Sequence, residues 1–358
     1  MDGSETLLEE LSNAFGPSGF ENPVREIVKR ELSSLGCGVE VDGLGSVIGR
    51  LPGMYDSPRV MLSAHMDEVG LIVKYVTEQG YIKFETLGGW LDQALINQRW
   101  VIMTRNGPVL GVTGIKTPHV MNAEARGKVF SKTDMFVDVG ARDRQDVLEN
   151  FGIVPGDPIA PQSMFSKLGS TDMYLGKAWD DRAGVWVMLE VLKHLSNTGP
   201  NAVYGVATVQ EEVGLRGAGT SGSFVQPQIG INIESGVAGD YPGITQDDAQ
   251  ERVGDGPGLF LHDSSMLPNL KLRDFVIETA KEIDIPLQFN ILSGYGQDGA
   301  AIQKTGIGVP VVNITVPTRY LHSHNSVVSG FDLDRAVRLV TGIVQKLDET
   351  KVQEIIGF

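Results

Sequence analysis

Helix-like and strand-like segments alternate along the second half of the chain. Residues 183–195 place apolar side chains at helical spacing, whereas Val203–Val209 and Ile229–Ile233 are short apolar runs typical of buried strands. Pro268 is expected in the first turn of a helix that runs to about Ile283. This alternation predicts an α/β domain, in which a mixed sheet is flanked by helices.

Other segments extend the same pattern to both ends of the chain. Towards the C-terminus we expect strands near Pro286–Leu292 and Val309–Val316, a short helix near Gly299–Lys304 and a last helix at about Asp334–Leu347. Before residue 70 we expect helices near Thr6–Ala14 and Pro23–Leu35, followed by strands near Val39–Asp42, Ser46–Leu51 and Val60–Ala64. Both sets of elements suit one α/β layer structure.

The pattern changes between residues 70 and 164, where alternating β-type runs dominate. We expect strands at Gly70–Val76, Tyr81–Leu87, Trp100–Thr104, Val109–Thr113 and Met135–Val139, with one helix near Asp143–Phe151. The chain has 358 residues, and domains average about 150 residues, so two domains are expected. We interpret 70–164 as a β-rich domain inserted into an α/β domain formed by 1–69 and 165–358.

Composition and charge exclude several classes of protein. Apolar residues make up 41% of the chain, charged residues 21%, and the mean hydropathy is −0.04, values typical of folded globular proteins. The 45 Asp and Glu residues outnumber the 30 Lys and Arg residues, for a net charge of −15. Such a field repels phosphate backbones, so nucleic acid is not an expected partner.

Targeting signals and cysteine content bear on location and on metal chemistry. No stretch approaches the roughly 18 apolar residues that a membrane span needs, and Met1–Glu5 lacks the basic start of a signal peptide. We therefore expect no membrane contact and a cytoplasmic location. The single cysteine, Cys37, fits a reducing compartment and excludes a cysteine-rich metal site. Any metal must then be held by His, Asp and Glu.

Ionisable residues follow the predicted strands at the points where these strands end. In open α/β sheets the working groups gather at the carboxyl ends of the strands. The candidates are His65 and Asp67, Asp180 and Asp181, Glu211 and Glu212, Glu234, and His322. Two imidazoles and several carboxylates exceed the needs of one four-coordinate ion, but they suit two divalent ions about 3.5–4 Å apart that share a carboxylate.

Each candidate also has a purely structural interpretation. The pair Asp180-Asp181 could cap a helix, and the adjacent pair Glu211-Glu212 could be a solvated loop entrance. By contrast, residues two apart on an extended segment face the same way, so the Asp67 carboxylate could bond the far ring nitrogen of His65 and fix its tautomer. His324 follows His322 by two residues and could support it, but an exposed loop histidine is the favoured interpretation. The joint arrangement, rather than any single residue, indicates a metal site.

Four strings carry a resemblance to a known family. They are Ser63–Gly70 (SAHMDEVG), Gly176–Gly184 (GKAWDDRAG), Val209–Gly214 (VQEEVG) and Arg319–Ser323 (RYLHS). In order and spacing they resemble the co-catalytic metallo-aminopeptidases that form tetrahedral (TET) particles, a family that includes glutamyl and deblocking aminopeptidases and whose members have also been labelled cellulases or endoglucanases. The resemblance covers essentially the whole chain.

The resemblance implies a role for each candidate residue. His65, Asp180 and Glu234 would hold one metal ion, and Asp180, Glu212 and His322 the other. Glu211 would be the general base and Asp67 would orient His65. It also implies a cis peptide bond between Asp180 and Asp181.

Partners and metals are implied in the same way. The substrates would be short peptides with a free N-terminus. The insert at 70–164 would build dimers, and the dimers a hollow dodecamer with inward-facing sites. The two divalent ions would be zinc, or else cobalt or manganese.

Glu234 leaves the reaction open, because most relatives have an aspartate at this position. In more distant co-catalytic enzymes a glutamate at this ligand accompanies carboxypeptidase or aminoacylase chemistry, so that reaction is an alternative to aminopeptidase activity. Glycoside hydrolysis also uses paired carboxylates, but it needs no histidine ligands. A binding module with a decayed site is the non-catalytic alternative. The preferred side chain of the substrate's first residue is not encoded in any motif.

Overall fold

The computed structural model describes residues 3–169, 172–195 and 199–357. Met1 and Asp2 lie outside the described residues. They belong to the segment in which no signal peptide is expected and to the first segment of the predicted α/β domain. The α-helices are α1 (Gly3–Asn13), α2 (Asn22–Ser34), α3 (Ala123–Arg126), α4 (Arg144–Asp146), α5 (Trp179–His194), α6 (Arg216–Val225), α7 (Leu270–Glu282), α8 (Gly299–Gln303), α9 (Gly330–Lys346) and α10 (Glu349–Ile356).

The strands are more numerous and fall into three groups. They are β1 (Gly38–Val41), β2 (Val47–Leu51), β3 (Arg59–His65), β4 (Gly70–Val76), β5 (Ile82–Leu87), β6 (Arg99–Thr104), β7 (Gly107–Gly114), β8 (Phe136–Asp138), β9 (Pro158–Pro161), β10 (Ser166–Lys167), β11 (Met173–Gly176), β12 (Ala202–Thr208), β13 (Ile229–Val237), β14 (Gly258–Asp263), β15 (Gln288–Leu292), β16 (Val311–Thr318) and β17 (Ser326–Ser329). Short 3₁₀ turns lie at Asp92–Leu95, Pro118–Val120 and Lys132–Asp134, and a π-helical turn at Val147–Phe151.

The main sheet has eight strands in the order β1-β2-β12-β3-β13-β16-β14-β15. Its four central strands, β12, β3, β13 and β16, run parallel, whereas β2 and β14 join them antiparallel. The central strands are buried along almost their whole length, as expected for parallel strands that are covered on both faces. The predicted α/β class with a mixed sheet is confirmed.

Successive side chains of each central strand point to opposite faces of the sheet, and each face has its own apolar core. On β3, Val60, Leu62 and Ala64 belong to the apolar core on one face, which also contains residues of α5 and α9. Met61 belongs to the core on the other face, together with residues of α6 and α8. Because successive side chains alternate in a strand, this arrangement fixes which strand residues point to which face at the end of the sheet.

A closed barrel with its own core follows β3. Its strands are arranged β4-β5-β8-β7-β6-β9, and its interior is filled by a separate apolar cluster that includes Leu71, Ile102 and Val137. The barrel strands span Gly70–Pro161, within the segment predicted to be β-rich. A small sheet, β10-β11-β17, lies outside both larger units.

Several elements differ from the sequence predictions for identifiable reasons. Pro268 is not in the first turn of α7: the helix begins at Leu270, and the Asn269 side chain caps it by accepting a hydrogen bond from the Leu272 N–H. Helix α6 was not predicted, because its sequence is rich in Gly, Ser and Thr, which have low helix propensity. Strand β9 was missed because prolines lie at both of its ends. Within the described residues no helix has the length and apolar character needed to cross a membrane.

Candidate metal centre

The register of the central strands brings His65 and Glu234 together. Asn232 on β13 lies opposite Ser63 on the parallel strand β3. Residues two positions further along each strand share the same face, so His65 and Glu234 also lie side by side. The distance from His65 Nε2 to Glu234 Oε1 is 3.3 Å, and both side chains are almost completely buried.

The hydrogen bond of His65 Nδ1 determines the tautomer of this ring. Nδ1 lies 2.9 Å from the main-chain oxygen of Asp67, which can only accept, so Nδ1 carries the hydrogen. The Asp67 carboxylate, which was expected to make this bond, lies 3.6 Å from Nδ1, within ion-pair range, but the shorter contact of Nδ1 is with the main-chain oxygen. In the neutral ring, the Nε2 lone pair therefore faces the carboxylates of Glu234 and Asp180.

Asp180 lies between the two imidazoles. It stands at the start of α5, where the Asp180–Asp181 peptide bond is cis. Its Oδ1 is 3.1 Å from His65 Nε2, and its Oδ2 is 3.3 Å from His322 Nε2. The neighbouring Asp181 carboxylate points away and accepts hydrogen bonds from the main-chain N–H groups of His65 and Gly184. The Asp180 carboxylate is thus shared by two histidines, whereas the Asp181 carboxylate is bound by main-chain N–H groups.

His322 and Glu212 complete a second group around Asp180. They follow the ends of β16 and β12, and His322 Nε2 is 3.3 Å from Glu212 Oε1. His322 Nδ1 donates to the main-chain oxygen of Gly89 at 2.6 Å. As in His65, this bond directs the Nε2 lone pair towards carboxylates.

The loops that carry these side chains have unusual backbone conformations. Ala178, Gln210, Tyr320 and His322 have φ angles between 53° and 61°, in the left-handed region that residues other than glycine rarely adopt. Such conformations cost about 1–3 kcal/mol each and persist where surrounding contacts enforce them, often at functional sites. Here they flank the histidine and carboxylate cluster.

Glu211 lies beside the cluster, and Asp67 holds its backbone. Glu211 Oε2 is 3.9 Å from His65 Nε2. The Asp67 carboxylate accepts hydrogen bonds from the N–H groups of Glu211 (2.9 Å) and Glu212 (3.2 Å) and from the Ser18 hydroxyl (2.6 Å). The structure therefore places Asp67 under the glutamate pair as well as beside His65, a role that spacing along the chain did not indicate.

Burial and like charges shift the pKa values of this cluster. Burial raises the pKa of Glu234 to about 8, although His65 opposes the shift. Burial, together with the nearby Glu234, Asp298 and Glu212 carboxylates, raises the pKa of Glu211 well above its usual range. Burial alone would raise the pKa of Asp180, but hydrogen bonds to both histidines lower it. A group of carboxylates that destabilise one another's charges is suited to bind cations.

The donor set fits divalent metal ions. His65 and His322 direct neutral-ring lone pairs at carboxylate oxygens 3.1–3.3 Å away, an arrangement that requires a cation between them or a proton on each ring. Glu234 Oε2 is buried and has no hydrogen-bond partner among the described residues. Imidazole and carboxylate together suit zinc and similar ions.

A buried network of charged side chains lies next to the histidine and carboxylate cluster. Lys177 Nζ is 2.6 Å from Glu68 Oε1, and the Arg182 guanidinium donates to the main-chain oxygens of Met66 and Leu11. Glu68, Lys177 and Arg182 lie in the strings that carried the family resemblance, but their chemistry alone gave no sign that they pair. Their contacts join the loop after β3 to the start of α5.

An Asp67→Asn variant is expected to lose about 10–100-fold in activity. The amide nitrogen cannot accept the hydrogen bonds that the carboxylate takes from Ser18, Glu211 and Glu212, so the glutamate pair should shift. The measurement is the rate of peptide hydrolysis at saturating metal. Asp348→Asn, at the N-cap of α10, is the matched control and should retain full activity; equal rates for the two variants would contradict this role.

A cluster of histidines and carboxylates at the edge of a mixed sheet is typical of a metal-dependent peptidase. A family model described as M42 glutamyl aminopeptidase matches residues 45–339. The chain belongs to this M42 family and is a metal-dependent aminopeptidase, a peptide hydrolase.

Individual relatives match over nearly their whole length. A TET aminopeptidase from the marine sediment archaeon Thaumarchaeota archaeon SCGC AB-539-E09 is 43% identical, with a TM-score of 0.96 and 99% of each chain covered. The glutamyl aminopeptidase of Lactococcus lactis subsp. cremoris (strain MG1363) is 33% identical, over 97% of this chain and 98% of the relative. The TET1 peptidase of Pyrococcus horikoshii, which can assemble into a tetrahedron or a large octahedral shell, is 28% identical, with a TM-score of 0.87 over 96% and 100% of the two chains. The resemblance to TET aminopeptidases predicted from the sequence is confirmed.

Proposed function

We propose that the chain removes N-terminal residues from short peptides with a two-metal centre built on Asp180. The observation that carries the proposal is the position of this carboxylate, whose two oxygens each face a different histidine, at 3.1 and 3.3 Å. A bridging carboxylate of this kind is the expected core of a site for two ions. The arrangement supports the ligand roles that the sequence strings implied.

The ligands divide into two half-sites that share Asp180. His65 and Glu234 complete the first half-site, and Glu212 and His322 complete the second. Two divalent ions held by these residues would supply an acidified water and neutralise negative charge on the scissile carbonyl oxygen. We propose zinc as the native metal, with cobalt or manganese as alternatives, because histidine and carboxylate ligands accept all three.

Glu211 supplies the proton transfers. Its carboxylate lies at the edge of the first half-site, 3.9 Å from His65 Nε2. It is close enough to His65 and Glu234 to bind the same ion, but we assign it to proton transfer because it is further from His65 than Asp180 and Glu234 are. In the proposed reaction it accepts a proton from the attacking water and returns it to the leaving amine. Asp67 keeps the main chain of Glu211 in place.

Assembly and location are further parts of the proposal. We propose that segments 1–69 and 165–358 form the catalytic domain and that the segment 70–164 mediates self-association into dimers and then a dodecamer. The separate apolar core of the barrel supports this division, and the named assemblies of the P. horikoshii relative support the oligomer. The single buried cysteine, Cys37, supports a cytoplasmic location.

The test of the reaction is a matched pair of peptides, one with a free N-terminus and one N-acetylated. Because an aminopeptidase needs the free amine, we expect stepwise release of residues from the free peptide and none from the acetylated one. Cleavage of the acetylated peptide, or release from the C-terminus, would contradict the proposal and would indicate that Glu234 accompanies amidase or carboxypeptidase chemistry. Mass spectrometry of the products distinguishes these cases.

A further inference from the structure

The loop that carries His322 is hydrogen-bonded to the barrel. Besides the bond from His322 Nδ1 to the Gly89 oxygen (2.6 Å), the Ser163 hydroxyl donates to the side-chain oxygen of Asn325 at 2.7 Å. Gly89 lies in the segment after β5, and Ser163 follows β9. The loop therefore contacts the barrel at two separate segments, one after β5 and one after β9.

His324 is a buried residue of this loop that also contacts the barrel. The sequence predicted an exposed histidine, but only 3% of this residue is exposed. Its ring packs edge-on against Trp100, with ring centroids 4.3 Å apart, and lies 5.8 Å from the Trp90 ring. Its Nε2 is 2.9 Å from the main-chain oxygen of Arg99 on β6, and since a carbonyl only accepts, Nε2 donates. These contacts fix the His324 side chain against the barrel.

The same part of the barrel touches the other ligand of the second half-site. Gly88 has a φ angle of +80°, and a Cβ at this position would lie 3.0 Å from Glu212 Oε2 and 2.7 Å from Val69 Cγ1. The barrel segment at Gly88 and Gly89 therefore packs directly against Glu212 and His322. A side chain at Gly88 would displace one of these neighbours.

The first half-site is held differently. The His65 and Glu234 side chains come from neighbouring strands of the main sheet, β3 and β13, whose register sets their separation. Their hydrogen bonds within the described residues go to Asp67, Asp180 and the Ser235 N–H. The two half-sites are consequently supported by different parts of the fold.

We propose that His324 is a positioning residue, which holds His322 against the barrel and thereby sets the affinity of the second half-site for its metal ion. The inference rests on the proposed function, because it takes His322 as a ligand. A purely structural role for His324 would lower the stability of the fold and weaken both ions alike. A positioning role weakens one ion and spares the other.

Calorimetric titration of the metal-free full-length protein with zinc tests the proposal. We expect two ions per subunit for the wild type and one for His322→Ala. In His324→Ala the affinity of one ion should fall by at least about tenfold, as when other supports of metal ligands are removed, and the affinity of the other ion should stay close to that of the wild type. His324→Gln, which retains an N–H donor for the Arg99 oxygen, should recover part of the lost affinity, and it replaces His324→Ala if that variant does not fold.

Two further variants make the result specific. Adding His324→Ala to His322→Ala should cause no additional loss of metal, because the anchored ligand is already gone. The matched control His194→Ala removes an exposed histidine at the end of α5 and should bind both ions as the wild type does.

The outcomes separate this inference from the proposed function. Wild-type affinity for both ions in His324→Ala, or equal weakening of both, would overturn the positioning role while leaving the two-metal centre intact. A wild-type protein that binds fewer than two ions, or a His322→Ala variant that still binds two, would overturn the assignment of the centre and this inference with it.

Discussion

A Glu211→Gln variant is expected to bind two metal ions per subunit and to hydrolyse peptides about 10³-fold more slowly than the wild type. Glutamine has nearly the same size, so the fold and the ligand set should be preserved, but its amide cannot take up the proton of the attacking water. The Glu211 carboxylate is also further from a histidine nitrogen than the proposed ligand carboxylates, at 3.9 Å against 3.1–3.3 Å. Losing its charge should therefore leave both ions in place.

The neighbouring glutamate provides the control. Glu212→Gln makes the same chemical change one residue along the chain, but at the carboxylate that faces His322 Nε2 at 3.3 Å. We expect this variant to lose the ion of the second half-site. Metal content by inductively coupled plasma mass spectrometry and kcat on a peptide with a free N-terminus are measured on both proteins. Substantial turnover in metal-loaded Glu211→Gln would exclude Glu211 as the general base.

Replacement of Asp180 is expected to have an even broader effect, because both proposed half-sites include its carboxylate. Asp180→Ala should bind neither ion tightly, and turnover should fall by more than about 10³-fold, since both the activation of water and the stabilisation of the oxyanion depend on the ions. The measurements are metal content after gel filtration and the rate of peptide hydrolysis.

Asp181→Asn is the matched comparison for Asp180. The Asp181 carboxylate accepts two main-chain hydrogen bonds and faces neither histidine Nε2, so the asparagine variant should retain both ions. Retention of two ions by Asp180→Ala would show that this residue does not bridge the half-sites. Loss of both ions from each variant would show that the effect comes from the backbone at this position rather than from the bridging carboxylate.

The sequence predicted which candidate residues lie together better than it predicted the contacts that hold them. His65, Glu212 and His322 lie at or soon after the ends of parallel strands, and Glu234 lies three residues before the end of β13. The parallel arrangement alone brings such positions to one edge of the sheet. Alternation along β3 and β13 then explains why His65 and Glu234 share a face. These are local properties, which can be recognised from apolar runs and the residues that follow them.

Contacts between distant segments could not be predicted in this way. His324 is polar and lies in a loop, and its burial depends on Trp90 and Trp100, which are more than 220 positions earlier in the chain. The hydrogen bonds from Glu211 and Glu212 to Asp67 likewise depend on a turn that spacing does not determine. Such pairings arise from the tertiary packing of the barrel and the main sheet.

The most direct test of the account is a metal titration of activity. The metal-free protein is supplied with zinc in steps while the release of N-terminal residues from a free peptide and the number of ions bound per subunit are followed together. Because both proposed half-sites share Asp180, we predict that turnover appears as the second ion binds. Full turnover at one ion per subunit, or in the presence of excess chelator, would contradict the two-metal mechanism.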